Sequence, residues 1–179
     1  MYKNKRIVVL LLLSTVLSSC IEINGSGYSI LSDEDKKHVI ICNQPLDSLT
    51  NNGNLYAINT KQVKEYLQNK HRVIVYEYLP FCSGESGTDP QTIYEICKQK
   101  AMDLLVVSSV YDGILPISQN IEFPIFVIDF NPYHTDNYQK YSEEFYKCLT
   151  NDDSEDRKYS SYHLFEEGKY IKSLSNLGE

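Results

Sequence analysis

Five cysteines, at positions 20, 42, 82, 97 and 148, are the residues of this 179-residue chain best suited to chemistry. A thiolate can attack a disulfide or ligate a metal, and its reactivity follows its pKa. A fast dithiol centre needs C-x-x-C at a helix start, where the dipole lowers the thiol pKa and the second cysteine resolves the mixed disulfide. No such pair occurs. Three residues after Cys82 stands Glu85, and a carboxylate there disfavours the thiolate. Cys97 follows fifteen residues after Cys82. Between them, Asp89-Pro90 reads as an N-cap followed by proline at N1, which starts the helix seven residues beyond Cys82. Cys42, Cys82, Cys97 and Cys148 allow three pairings, and the sequence leaves all three open. Cys97 and Cys148 also suit apolar helix faces as small buried hydrophobes.

The remaining constellations carry little chemistry. His38, His71, His134 and His163 are scattered without ligand spacing, so they read as surface or loop histidines and no metal is expected. The acidic run from Asp152 fails as a calcium loop, because Arg157 and His163 stand where glycine and glutamate are needed. No nucleophile-elbow, phosphate-loop or dinucleotide motif is present, so no cofactor is expected. Ser83 to Gly87 reads as a flexible loop. Fifteen tyrosines and no tryptophan are unusual. Core packing is the default for them, while Tyr133, Tyr138 and Tyr141 could also line a groove.

The first residues carry an address. Lys3, Lys5 and Arg6 precede an apolar run from Ile7 to Leu17, and small residues lead into Leu17-Ser18-Ser19-Cys20. This is the pattern of a secretory signal, too short to span a bilayer. The LSSC segment resembles the lipobox of bacterial lipoproteins. That resemblance implies a signal peptide over 1–19, lipidation of Cys20 with acyl chains such as palmitate, a tether over 20–30 and a domain over 31–179. The expected location is the cell membrane or outer membrane, with the domain facing the periplasm. The membrane is then one partner, through the lipid, and an envelope protein or peptide is another. Without the three basic leader residues, 14 Lys and Arg face 24 Asp and Glu, a formal charge of −10. So acidic a domain lacks the footprint for nucleic acid or anionic lipid.

Between the termini the pattern alternates. Val39 to Cys42 and Leu55 to Ile58 suit short strands. Thr60 suits the cap of a helix carrying Val63, Tyr66 and Leu67. Arg72 to Leu79 is nearly continuously apolar, as a strand covered on both faces is. The Asp89-Pro90 helix bears Ile93, Ile96, Cys97 and Ala101. Leu104 to Val107 then forms a parallel partner strand. Tyr111 to Glu122 reads as irregular, Phe123 to Phe130 as a strand, and Asp136 to Leu149 as a helix with Tyr138, Tyr141, Phe145 and Cys148 inward. Asn151 to Lys158 reads as a charged loop. Tyr162 to Ile171 reads as a hairpin turning at Glu166-Glu167-Gly168.

This order resembles the thioredoxin-like fold, in the extracytoplasmic branch of disulfide reductases and peroxiredoxin-like proteins. RVIVYEYLPFC is similar to the strand that runs into the active cysteine, FPIFVID to the branch's extra strand, and YHLFEEGKYIKS to its closing hairpin. The resemblance implies an α/β fold: a central mixed sheet flanked by helices, with a C-terminal β-hairpin. It places Cys82 at the nucleophile position, with Cys97 as a resolving candidate. The departures are the missing C-x-x-C and the serines Ser160-Ser161 where a cis-proline would stand. Pro124 takes that role only if FPIFVID lies beside the active-site strand. The resulting expectation is a membrane-anchored, non-catalytic binding or accessory module. The alternative is a thiol-disulfide oxidoreductase using Cys82.

Overall fold

The structure is a computed structural model that describes residues 27–178. Cys20, the signal segment and most of the expected tether lie outside the described residues. The last residues assigned to the tether lie against the domain. Tyr28 stacks on Phe130 at 5.4 Å and meets Tyr111 edge-on at 5.6 Å.

The chain then runs through α1 (Asp33–Lys36), β1 (Val39–Ile41), β2 (Leu55–Ile58), α2 (Thr60–Gln68), β3 (Arg72–Glu77) and α3 (Pro90–Gln99). It continues through β4 (Asp103–Ser108), α4 (Ile114–Ser118), β5 (Ile125–Ile128), α5 (Tyr138–Thr150), α6 (Glu155–Lys158), β6 (Tyr162–Glu166) and β7 (Lys169–Leu174). The strands form one mixed sheet in the order β1-β2-β5-β4-β3-β6-β7. The first five are parallel, and β6 and β7 close the sheet as an antiparallel hairpin. The fold is therefore α/β, a helix-flanked mixed sheet with a C-terminal hairpin, compatible with the thioredoxin-like arrangement. Because β3 pairs with β6 and not with β5, Pro124 lies away from the strand that leads to Cys82.

Local chemistry explains most boundaries. Val73, Ile74, Val75 and Tyr76 are buried on both faces of β3. The Asp89 carboxylate accepts from the Thr92 N–H at 3.2 Å, and Pro90 opens α3. The hairpin turn places Glu167 and Gly168 at φ 50° and 75°, the left-handed pair that such a tight turn requires.

Other boundaries move. Asn59, not Thr60, caps α2: its side chain and that of Gln62 satisfy each other's backbone N–H at 3.1 and 3.0 Å. This is a capping box with asparagine as the cap, and Thr60 is buried in the first turn. Ala101 has φ 52° and lies past the end of α3, so it leaves the apolar stripe. On α5 the buried face centres on Ser142 and Leu149. At about 100° per residue, Cys148 falls beyond its edge and is exposed. Short helices also occupy two stretches that read as irregular, α4 and α6.

Ile93 and Cys97 are buried in the core, while Ile96 is half-buried. Ile93→Ala should therefore cost about 2–5 kcal/mol in denaturant unfolding, and Ile96→Ala about half of that or less. Equal losses at the two positions would mean that α3 is rotated about its axis.

Candidate functional site

The sheet builds outward from β3 in two directions. The chain lays down β4 and β5 on one side, then crosses to place β6 on the other. In open α/β sheets the crevice for a ligand forms outside the carboxyl ends of the strands, where the order reverses. Here β6 runs antiparallel to β3, so it is the entry to β6, at Ser161, that meets the carboxyl end of β3 at Glu77.

A cavity of about 390 Å³ opens there, among Glu77, Leu79, Ser142, Arg157, Ser160 and Ser161. Glu77 is a charged residue closing an apolar strand. Its carboxylate accepts from the Ser142 hydroxyl at 2.7 Å and from the Ser109 hydroxyl at 3.4 Å. Desolvation pushes its pKa up, against the two hydroxyls and the Arg157 charge, which pull it down. Arg157 lies on α6 and is only 4% exposed. Its Nε and Nη2 have no hydrogen-bond partner, and Nη2 reaches the Asp153 carboxylate only at 3.6 Å.

Behind Arg157 lies His163, fully buried on β6. This corrects its reading as a surface or loop histidine. Its Nδ1 meets the Ser173 hydroxyl at 2.8 Å, its ring packs on Tyr146 at 4.7 Å, and Nε2 has no partner. Burial, reinforced by the Arg157 charge, lowers its pKa to about 3, so the ring is neutral.

Neither cysteine of the redox expectation lines this cavity. Cys82 is half-buried in the turn after β3, where its N–H donates to the Leu79 carbonyl at 3.1 Å. A Cβ on Gly87 would strike the Cys82 carbonyl, so the loop closes only over glycine. Tyr76 and Tyr162 pin the same loop. The Tyr76 hydroxyl reaches the Glu85 and Thr88 carbonyls at 2.9 and 2.7 Å, and the Tyr162 hydroxyl donates to the Glu85 carboxylate at 3.0 Å. Glu85 is thus held by tyrosine. Cys97 is buried in α3, and desolvation pushes its pKa up to about 11. Cys42, Cys82, Cys97 and Cys148 are all free thiols.

Tyr141, offered as a groove residue, is fully buried, whereas Tyr138 lines the cavity. Ser160 and Ser161, at the expected proline place, also line it. Among the described residues, no cluster of three or more His, Cys, Asp or Glu is placed to hold a metal, and no helix is long and apolar enough to cross a membrane. Comparison with protein families, with curated proteins and with solved structures finds no match.

No motif in the sequence marks Glu77 or Ser142 as site residues, and Arg157 and His163 read there as loop and surface positions. The one available signal was Glu77, a carboxylate inside an otherwise apolar strand.

His163 sets an acid limit on the fold. Between its unfolded pKa of 6.5 and its folded value of about 3, the unfolded chain takes up a proton that the folded chain refuses. Its contribution is complete above pH 6.5 and is lost as pH falls toward 3. From pH 6.5 to 4 the stability of His163→Phe should fall by about 3 kcal/mol less than that of the parent. Parallel curves in urea titrations at these pH values would show that His163 titrates normally.

Proposed function

We propose that this chain is a membrane-anchored cell-envelope lipoprotein whose thioredoxin-like domain is a non-catalytic binding or accessory module. The anchor rests on the sequence ending in LSSC at Cys20. The binding role rests on one observation above the others: the thiols are not organised for exchange, while a polar cavity is. Cys97 is buried with a raised pKa, so it is a poor attacking thiol. Cys82 has no cysteine three residues on, and α3 begins eight residues after it. A helix dipole acts within its first turn, so Cys82 lies beyond it.

The second reading keeps Cys82 as the nucleophile of a thiol-disulfide oxidoreductase. One feature favours it: Cys82 is partly exposed at the carboxyl end of β3. A partner thiol would then have to resolve the mixed disulfide.

Two measurements test the proposal. Turnover of a model disulfide by the purified domain should match that of Cys82→Ser, and Cys97 should resist alkylation until the protein unfolds. Turnover that depends on Cys82 establishes the oxidoreductase instead. In cells, Cys20→Ala should move the protein out of the membrane fraction. Retention as firm as that of the parent would remove the lipid anchor from the proposal.

A further inference from the structure

We propose that the cavity at the carboxyl end of β3 binds a small zwitterion, an amino acid or short peptide with free ends, its carboxylate on Arg157 and its ammonium on Glu77. This deepens the binding-module reading and rests on it.

Two charges, buried on Arg157 and half-buried on Glu77, do not meet. Arg157 is 4% exposed, and two of its three nitrogens lack hydrogen-bond partners. Its nearest carboxylate, Asp153 at 3.6 Å, is shared with Lys147 at 2.6 Å and Lys158 at 3.7 Å. Glu77 makes no ion pair among the described residues and is held only by serine hydroxyls. Buried charges are costly unless they are paired and hydrogen-bonded. Both groups line one cavity, and among the described residues no ion pair joins them. A ligand bearing one charge of each sign compensates both at once.

The lining selects among ligands. A guanidinium fork fits a carboxylate with two parallel hydrogen bonds. A phosphate dianion would face Glu77 and Glu143, and a simple cation would face Arg157 and Lys158. The volume of about 390 Å³ suits one or two residues. Tyr138 and Tyr159 also line the cavity and offer aromatic surface to a ligand side chain.

The probes are alanine, alanyl-alanine, its N-acetyl and C-amide derivatives, and inorganic phosphate, each titrated by amide NMR to about 10 mM. Alanyl-alanine or alanine should bind and move the Ser142, Ser160 and Ser161 signals; which of the two binds tells a peptide site from an amino-acid site. Amidation and acetylation should each weaken binding at least ~10-fold, since each removes a charge-assisted contact. In Arg157→Gln the amide and the free acid should bind equally; in Glu77→Gln the acetylated and free amines should. Because Arg157→Gln risks misfolding, Glu77→Gln carries the test alone if that variant loses its dichroism. No binding by alanine or alanyl-alanine, blocked forms that bind as well as free ones, or a preference for phosphate overturns the inference. The two proposals fail separately: Cys82-dependent turnover with these titrations intact removes the non-catalytic reading, and silent titrations without turnover remove only this ligand.

Discussion

Tyrosine hydroxyls that donate to backbone carbonyls hold the carboxyl end of this sheet in place. Tyr111 reaches the Ile128 carbonyl at 2.6 Å, Tyr141 the Ser109 carbonyl, and Tyr146 the Val107 carbonyl at 3.5 Å. Tyr76 reaches across to the loop after its own strand. Each ring is buried, and each hydroxyl satisfies a carbonyl near where a strand gives way to loop. An unpaired hydroxyl at these depths would be costly, so ring position and loop position are fixed together. This accounts for the abundance of tyrosine better than a groove does. It also explains how a loop rich in glycine and serine keeps one conformation beside the cavity.

The same end of the sheet carries the charged groups, and these are held differently. Asp153 gathers Lys147, Arg157 and Lys158, tying the end of α5 to α6. Asp152 accepts from the Tyr170 hydroxyl at 3.2 Å and joins that corner to β7. Exposed ion pairs of this kind add little stability. Their effect is placement: they bring Arg157 over the sheet, where its neighbours are His163 and the cavity. The desolvation that raises the Glu77 pKa and lowers that of His163 follows from the same enclosure.

Sequence legibility followed the kind of signal. β3 was readable because Arg72 to Tyr78 is almost wholly apolar, and α3 because Asp89-Pro90 leaves few other conformations open. The hairpin was readable because Glu167-Gly168 supplies two left-handed residues. The cap of α2 was misplaced by one residue because Asn59 and Thr60 are both good caps, and only the reciprocal bond with Gln62 decides. Cys148 was misplaced because a stripe read at three- and four-residue steps from Tyr138 drifts off the buried face in under three turns. The cavity was hidden for a deeper reason. Glu77 lies 65 residues before Ser142, Arg157 is on the next helix after Ser142, and that helix lies in a stretch whose composition is that of a solvated loop. Nothing local marks a charge that burial will strand.

Tyr28, docked on Tyr111 and Phe130, sets a leash length. If Cys20 carries lipid, eight residue steps separate the anchor from a fixed point on the domain. A fully extended chain of that length spans at most about 28 Å. Tyr111 and Phe130 follow β4 and β5, so the leash leaves from the carboxyl end of the sheet, the end where Glu77 lies. The cavity and the bilayer then share one side of the molecule's reach. If the anchor and the ligand are both as proposed, binding takes place within a few nanometres of the membrane surface.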